Sequence, residues 1–273
     1  MKKFGITVHT LVRNEERWIW YALNSVLNYA DKIVVFDTGS TDKTVEIIKT
    51  IKSPKIVFEQ KGIVTKKNYT VLRQEMLEKT TTSWFIVVDG DEVWPRVAIQ
   101  KLVAKIKSVP REIEAIVVPQ WVCQGDVFHY SREVEELHED RTGRMGFWLP
   151  RAFRFTPGLH AKGEYGVESF VDKHGINVSH WDLKRLVYIE HKFFHMTFLL
   201  RSDSIQKDRL VMMRAMKRRY DLGLAFPKDF KYPEVFYQTH PQSVPSPWLK
   251  YSWFTSFSGV YYKTLNFVNR RGI

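Results

Sequence analysis

Three carboxylates stand within four positions in the run Asp89-Gly90-Asp91-Glu92, directly after the apolar segment WFIVV at 84–88. Two carboxylates that flank a glycine can both point toward one hard cation carrying diphosphate oxygens. Mg²⁺ and Mn²⁺ prefer oxygen ligands and are commonly held by one or two carboxylates plus substrate phosphates. A solvated acidic turn is the ordinary alternative. The position at the end of a buried strand favours the metal hypothesis.

A second polar group occurs in Asp37-Thr38-Gly39-Ser40-Thr41-Asp42, which also follows an apolar run. A carboxylate at a strand end, followed by a helix N-terminus, can bind the polar edges of a nucleotide. The alternative is capping, with Ser40 as the N-cap and Asp42 favoured by the helix dipole. We predict the binding role for Asp37 and the capping role for Asp42.

These groups need a scaffold, and hydrophobic periodicity predicts one. Four strands are predicted at 5–12, 32–37, 55–59 and 84–89, with helices between them, the last covering 66–79. Repetition of strand and helix at this spacing is typical of a parallel βαβ sheet, in the α/β class. Ligands of such sheets bind beyond the carboxyl ends of the strands. Arg13-Asn14-Glu15 and the two acidic groups above all follow predicted strands, so we expect them to converge.

The second half is less regular. Strands are predicted at 113–121, 147–155 and 186–195, followed by one long basic amphipathic helix at 196–220 and an aromatic-rich tail. We therefore predict a catalytic domain at 1–220, with a nucleotide-binding half at 1–110 and an acceptor half at 111–220. Residues 221–273 are predicted to be a helical C-terminal extension packed on it.

Composition limits the class of protein. The chain of 273 residues has one cysteine and a net charge of +12. A single cysteine excludes an internal disulfide framework and favours a reducing compartment. With no signal-peptide core and no long apolar run, we expect a cytoplasmic protein. The excess positive charge suggests polyanionic partners, so a nucleic-acid-binding protein is one alternative, although no nucleic-acid motif occurs. A sugar nucleotidyltransferase is another, but RNEERW is not its usual phosphate loop.

The segment RNEERWIWYALNSVLNYADKIVVFDTGSTDKTVEII (13–48), followed by WFIVVDGDE (84–92), closely resembles the family 2 glycosyltransferases, which have the GT-A fold. The resemblance implies a metal-dependent enzyme that uses a nucleoside-diphosphate sugar. It places Asp91 as the main ligand of Mn²⁺ or Mg²⁺. It places the following residues at the nucleotide and diphosphate: Arg13, Asn14, Glu15, Asp37, Ser40, Asn68, Asp89 and Gly90.

The second half matches this family more loosely. YGVESFV (165–171) resembles the segment that supplies the catalytic carboxylate, so we predict Glu168 as the base of an inverting transfer, with Glu164 and Asp172 as alternatives. His195 resembles a histidine that completes the metal shell; the alternative is a structural histidine. Basic residues that could neutralise a diphosphate are Arg151, Arg154, Lys207, Arg209 and Lys217-Arg218-Arg219.

The resemblance also implies partners. The donor would be a nucleoside-diphosphate sugar, and the acceptor a saccharide, a lipid-linked molecule or a protein; no nucleic acid is expected. The tail at 247–273 mixes aromatic and basic residues. We expect it to pack against the domain; the alternatives are a peripheral contact with the inner face of the membrane, a lid and an oligomer contact.

Overall fold

The N-terminal half forms the predicted parallel sheet. The computed structural model describes residues 2–66, 68–132, 139–211, 213–217 and 221–250. The first four strands are β1 (Lys3–Val12), β2 (Lys32–Asp37), β3 (Ile56–Gln60) and β4 (Thr82–Val87), and the helices between them are α1 (Ile19–Val26), α2 (Thr44–Thr50) and α3 (Tyr69–Glu78). These strands are parallel in the order β3-β2-β1-β4. Val12 pairs with Asp37, so the polar groups that follow both strands meet at one edge.

The continuous apolar run in β2 reflects burial on both faces. Ile33 and Val35 pack into the main core with helices α1 and α4 (Arg96–Ser108). Val34 and Phe36 face the other side, where α3 covers them. A strand buried on both faces reads as an unbroken apolar run because successive side chains point to opposite faces. The predicted α/β class is confirmed.

The second half extends the same sheet with strands that form both antiparallel and parallel pairs. They are β5 (Glu92–Val93), β6 (Ala115–Gln124), β7 (Asp126–Tyr130), β8 (Trp148–Arg154), β11 (Leu186–Tyr188), β12 (Phe193–His195) and β13 (Leu224–Ala225). The main order is β13-β7-β6-β8-β4-β1-β2-β3, and β9 (His160–Lys162) with β10 (Ser169–Val171) forms a separate hairpin. β12 lies between β5 and β6. The mixed half therefore flanks the parallel half on its β4 side.

The prediction of one long helix at 196–220 is wrong. Residues 196–204 are not helical, and within the described part of 205–220 two short helices follow, α5 (Ile205–Arg209) and α6 (Arg214–Lys217). The side chain of Ser204 accepts a hydrogen bond from the backbone N–H of Lys207 and so caps a new helix. Met213 has φ 59, which no α-helix allows, and so separates the two. The strand predicted at 186–195 is likewise two short strands.

The C-terminal extension packs on the domain but contains no α-helix where it is described. Residues 221–250 contain β13, which pairs with β7, and a 3₁₀ helix at Glu234–Tyr237. The ring of Phe226 stacks on that of Phe230 with centroids 4.1 Å apart. Contacts between aromatic rings, and not an α-helix, therefore hold this segment against the domain. The tail at 251–273 lies outside the described residues. Among the residues that the structure describes, no helix has the length and apolar character needed to cross a bilayer.

Candidate active site at the carboxyl ends of the strands

One cavity of about 280 Å³ opens at the carboxyl ends of β1, β2 and β4. It is the place where a sheet of this class keeps its ligand. Most of the side chains that the sequence singled out line it, namely Arg13, Glu15, Asp89, Gly90, Asp91, Glu168 and His195. The polar strand ends therefore converge, as the sequence predicts.

Gly90 lets two of these strand ends touch. A Cβ atom at this position would lie 2.8 Å from Cγ of Glu15 and 2.9 Å from Cγ1 of Val12. Because both distances are shorter than real Cβ contacts, any larger residue would push the acidic turn away from β1. The glycine between Asp89 and Asp91 is thus a requirement of close packing.

Asp91 is buried and held by two groups from the second half of the chain. Nη1 of Arg201 contacts its Oδ2, and Nε2 of His195 lies 3.4 Å from the same oxygen. Burial alone would raise the pKa of Asp91, but the charge of the Arg201 guanidinium outweighs it, so the pKa lies well below the ordinary value. Asp91 is therefore a permanent carboxylate at neutral pH.

A hydrogen bond on the side away from Asp91 orients the ring of His195. Its Nδ1 lies 2.7 Å from Oε1 of Gln120. That oxygen can only accept, so Nδ1 carries the hydrogen and Nε2 presents its lone pair toward Asp91 when the ring is neutral. The backbone fixes the position as well, because β12 pairs with β5 and the N–H of Met196 donates to the carbonyl of Asp91 at 2.9 Å.

Asp91 and His195 fit a divalent cation. Two atoms that bind one ion at about 2.1 Å cannot be more than about 4.2 Å apart, and Oδ2 and Nε2 are 3.4 Å apart. A carboxylate oxygen with an imidazole nitrogen is a donor set that suits Mn²⁺. Among the described residues, no group of three His, Cys, Asp or Glu side chains is arranged to hold a metal. The remaining ligands would therefore have to be diphosphate oxygens and water.

Glu15 forms the back wall beside Asp91. Its Oε1 contacts Nη2 of Arg214 and lies 3.2 Å from Nη1 of Arg201. Burial raises the pKa of Glu15 to about 8, and Asp91 adds to the shift, although the two arginines oppose it. Glu15 is therefore mostly protonated at pH 7, which leaves more of the positive charge of these arginines to the cavity.

Asp89 belongs to a second ion-pair network. Its Oδ1 accepts from Nη2 of Arg73 at 2.6 Å, and Arg151 lies between Asp89 and Glu92. Burial opposes the charged form, but Arg73 and Arg151 lower the pKa of Asp89 below its ordinary value. Burial raises the pKa of Glu92 well above its ordinary value, despite Arg151. Asp89 is thus the anionic member of this pair of acids.

Asp37, Asn14 and Ser40 lie behind the cavity wall rather than on it. Asp37 accepts from the backbone N–H groups of Gly39 and Ser40, at 3.2 Å each. Asn14 has φ 54, in the left-handed region that Asn tolerates. Its side chain accepts from the N–H of Thr41 at 2.7 Å and donates to the carbonyl of Lys207 at 2.8 Å. These residues tie the strand ends together, and their contact with a nucleotide remains a prediction.

The predicted capping roles differ in part from the structure. Helix α2 begins at Thr44, so Ser40 is not its N-cap; its Oγ accepts from the N–H of Asn14 at 2.8 Å instead. Asp42 is not the N-cap either, because that position is Lys43 and no side chain caps the helix; Oδ1 of Asp42 accepts from the N–H of Thr44 at 3.0 Å just before it. Asn68 is exposed and does not line the cavity.

Glu168 is carried into the cavity by the loop that precedes β10. The side chain is half-buried and accepts from the backbone N–H of Gly166. In the same loop Tyr165 lines the cavity and packs edge-on against Tyr69, with ring centroids 4.8 Å apart. The alternative Glu164 is exposed and does not line the cavity. The other, Asp172, bonds Nη1 of Arg185 at 2.7 Å, away from it.

Sequence reasoning missed three buried arginines, Arg73, Arg201 and Arg214. A signal for Arg73 existed, because it shares the apolar stripe of α3 with Leu72 and Met76. An arginine on a buried helix face needs a carboxylate partner.

Of the basic residues proposed for a diphosphate, Arg151 and Lys217 line the cavity. Arg154 does not, since it donates to the carbonyls of Ile113 and Pro110; Arg218 and Arg219 lie outside the described residues.

Comparison with known families agrees with this geometry. The sequence model described as "Glycosyl transferase family 2" matches residues 7–165, more than half of the chain. The chain belongs to glycosyl transferase family 2. Membership in this glycosyltransferase family confirms the resemblance seen in the sequence, and the mixed, mainly parallel sheet agrees with the GT-A-like fold that it implies.

Curated relatives of this glycosyltransferase family 2 member are themselves described as glycosyltransferases. The SPbeta prophage-derived glycosyltransferase SunS of Bacillus subtilis is 32% identical over 172 residues, which is 63% of this chain and 36% of that protein. An uncharacterized glycosyltransferase of Rickettsia typhi is 36% identical over 92 residues, or 34% of this chain and 29% of that protein. The chain thus spans about a third of the length of the curated relatives it matches.

Solved structures align with this chain at lower sequence identity than the curated relatives do. Residues 1–349 of S. aureus TarS in complex with UDP-GlcNAc give a TM-score of 0.47 at 13% identity, covering 85% of this chain and 70% of that one. The mannosyltransferase PcManGT of Pyrobaculum calidifontis, in complex with GDP-Man and Mn²⁺, gives a TM-score of 0.38 at 16% identity, covering 56% and 45%. Alignments at this level do not define a substrate.

Proposed function

We propose that this family 2 glycosyltransferase transfers a sugar from a nucleoside-diphosphate sugar to an acceptor hydroxyl, with inversion at the anomeric carbon and with help from Mn²⁺ or Mg²⁺. The observation that carries the proposal is the convergence of Asp91, His195 and several arginines on one cavity at the strand ends. A nucleotide's diphosphate is the substrate group that fits a wall with more cations than carboxylates.

The charge of the cavity supports a diphosphate occupant. Its lining carries five basic side chains, Arg13, Arg151, Arg201, Arg214 and Lys217, against the four carboxylic groups of Glu15, Asp89, Asp91 and Glu168. Because Glu15 has a pKa of about 8, one of the four is mostly neutral at pH 7. The wall is therefore positive. Fixed cations of this kind bind a diphosphate and stabilise the charge that grows on it as it leaves.

Asp91 and His195 would hold the divalent cation, which when bound neutralises charge on the diphosphate leaving group. Other side chains of the protein set the charge and the orientation of these residues. Arg201, buried beside Asp91, keeps that carboxylate ionised. Gln120 holds the tautomer of His195 that has a free Nε2. Arg73 and Arg151 keep Asp89 ionised at the edge of the cavity.

Glu168 is the proposed base. It lines the cavity, and unlike Asp172 it has no arginine bound to its carboxylate in the described contacts. An inverting transfer needs a base near the acceptor hydroxyl on the face opposite the leaving diphosphate. Glu168 would accept the hydroxyl proton while the acceptor oxygen bonds to the anomeric carbon and the diphosphate departs with the electron pair.

A thermal-shift screen tests the proposal. The full chain would be heated with UDP, GDP, CDP, ADP or dTDP, each with and without Mn²⁺. We expect one diphosphate to raise the melting temperature in a metal-dependent way. At a concentration of one hundred times Kd, a ligand stabilises the folded state by about 2.7 kcal/mol.

Release of the matching nucleoside diphosphate from its nucleotide sugar would then be measured. The variant Asp91→Asn serves as the matched control, because it keeps the shape of the side chain and removes the charge. No shift with any nucleotide, together with no cleavage of any nucleotide sugar, would overturn the proposal.

A further inference from the structure

A second cavity of about 380 Å³ adjoins the first. The two share a wall made of Asp89, Leu149, Arg151 and Glu168. Beyond that wall the second cavity runs between strand β8, the β9–β10 hairpin and the 3₁₀ helix at Val178–His180. The proposed base thus stands at the junction, where a group in one cavity can react with a group in the other.

Among the residues that the structure describes, the lining of the second cavity is balanced in charge. Its charged lining residues are two arginines, Arg73 and Arg151, and two carboxylates, Asp89 and Glu168. Arg73 is already paired with Asp89, at 2.6 Å. The first cavity, in contrast, has more cations than anions. An ionic ligand gains no net attraction from balanced walls and still loses its hydration, so this cavity favours a neutral occupant.

Short polar groups line one side of this space. Oδ1 of Asn177 accepts from Oγ of Ser169 at 3.0 Å and from the N–H and Oγ of Ser179 at 2.9 Å each. These three donors occupy the oxygen, whereas Nδ2 of Asn177 has no protein acceptor among the described residues. Asn177 therefore presents an N–H donor, next to two hydroxyls, and none of the three carries a charge.

An aromatic wall stands nearby. The indole N–H of Trp148 donates to the carbonyl of Met145 at 2.8 Å, so its polar end is satisfied and the half-buried ring contributes apolar surface. Pro150 and Phe170 continue that surface. Flat apolar rings beside short uncharged hydrogen-bonding groups complement a pyranose, which combines a face of C–H groups with a rim of hydroxyls.

We infer that the second cavity binds the acceptor of the reaction as a neutral saccharide residue, with Asn177 and Trp148 as its main contacts. The inference rests on the proposed function and adds the chemical class of the acceptor. In the transfer, a hydroxyl of this saccharide loses its proton to Glu168. Its oxygen bonds to the anomeric carbon, and the bond to the diphosphate oxygen breaks.

The test measures nucleoside diphosphate release from UDP-glucose, UDP-N-acetylglucosamine and GDP-mannose by the full chain with Mn²⁺. Acceptor probes are the methyl glycosides of glucose, galactose, mannose and N-acetylglucosamine. The methyl glycoside of glucuronic acid is the charged counterpart, and a short peptide containing Ser, Thr and Cys is the protein counterpart. We expect at least one neutral glycoside to accelerate release about tenfold over water, a factor that corresponds to about 1.4 kcal/mol.

Two variants locate the effect. Asn177→Asp keeps the oxygen that Ser169 and Ser179 need but removes the N–H donor and adds a charge. Trp148→Leu removes the ring. Each should raise the KM for the glycoside about tenfold while the metal-dependent thermal shift with the nucleotide persists. Asp182→Asn is the matched control, because Asp182 caps the next 3₁₀ helix, at Leu183–Arg185, and does not line the cavity.

Several results would overturn the inference. One is acceleration by the glucuronide or the peptide but by no neutral glycoside. Another is an equal response of Asn177→Asp and Asp182→Asn. Both outcomes leave the proposed function standing, because the donor is still cleaved. If no donor is cleaved and no nucleotide shifts the melting temperature, the proposed function fails and the inference fails with it.

Discussion

Nε2 of His195 lies 3.4 Å from Oδ2 of Asp91, although the two residues come from opposite halves of the chain. Strand β12, which carries His195, is inserted between β5 and β6, and its register places His195 opposite Glu92. The acidic turn after β4 and the histidine are thus part of one hydrogen-bonded framework. A cation held by this pair would be positioned by backbone pairing on both sides.

The first prediction concerns Asp91. Asp91→Asn keeps the size of the side chain but removes the charge that Arg201 and His195 share. We expect nucleoside diphosphate release to fall about 10²-fold or more, which is the usual scale for a lost electrostatic contact to the transition state. The thermal shift with nucleotide should also lose its dependence on Mn²⁺. A variant with wild-type turnover would remove Asp91 from the mechanism.

The second prediction separates Glu168 from Glu164. Glu168→Gln should lower the rate of transfer by about 10²- to 10⁴-fold, because a positioned base contributes a factor of that size. Nucleotide binding should change little, as the cations of the diphosphate pocket are untouched. Glu164→Gln is the control, since Glu164 is exposed and outside the cavity. If both variants transfer sugar at the wild-type rate, the base is another residue.

The third prediction is about stability. Arg73→Met removes a buried guanidinium whose partner Asp89 keeps 28% of its side chain exposed. Loss of one member of a buried pair costs about 3–5 kcal/mol. Because Asp89 is still partly solvated, we expect the free energy of unfolding, measured in urea titrations, to fall by about 2–3 kcal/mol, which is at or just below the lower limit of that range.

Lys101→Met on the exposed face of α4 is the control for this change and should alter the free energy of unfolding by less than about 0.5 kcal/mol. Equal losses in the two variants would mean that the Arg73–Asp89 pair has no special role in stability.

The fourth prediction is a pH dependence that comes from the core. His9, on β1, is buried, stacks on Phe85 with centroids 4.7 Å apart, and bonds Oγ1 of Thr80 at 2.7 Å. Burial, with a smaller contribution from Arg73, lowers the pKa of His9 well below its ordinary value. Below the unfolded pKa of about 6.5, the unfolded chain therefore binds a proton that the folded chain refuses. Folding stability must fall as the pH falls through this region.

Urea titrations between pH 7.5 and pH 5 measure this effect. The slope contributed by one such group approaches about 1.4 kcal/mol per pH unit. His9→Phe keeps a ring against Phe85 and should lose this part of the slope, whatever its stability at pH 7.5. A variant whose slope equals that of the wild type would show that His9 does not titrate on unfolding.

The parallel half of the fold was predictable because each signal there is local. The alternation of buried faces, the Gly39 turn at φ 88 and the polar residue after each strand are all visible in short windows of sequence. The convergence of Asp89, Asp91 and Glu15 followed from one rule about parallel sheets. These parts of the site needed no knowledge of long-range contacts.

The remaining parts of the site depend on contacts between residues far apart in the chain, which no short window of sequence shows. Arg201 and Arg214 stand in a stretch whose apolar spacing resembles a helix, and this spacing indicates no partner for either residue. In the structure their carboxylate partner Glu15 is in the first turn after β1, which is far away along the chain. The Ser204 cap was the available local sign that the helix is interrupted.

The site is therefore assembled across the limit of the family match, which ends at residue 165. Asp91 and Glu15 lie inside it, but His195, Arg201 and Arg214, which contact them, lie beyond it. A chimera in which only residues 7–165 come from another family member would place that protein's acidic residues against Arg201 and Arg214 of this chain. The acids and the arginines would then come from different proteins and need not fit each other. Recombination for donor specificity should instead transfer the chain through Lys217 as one unit, so that each acid moves together with its counterion.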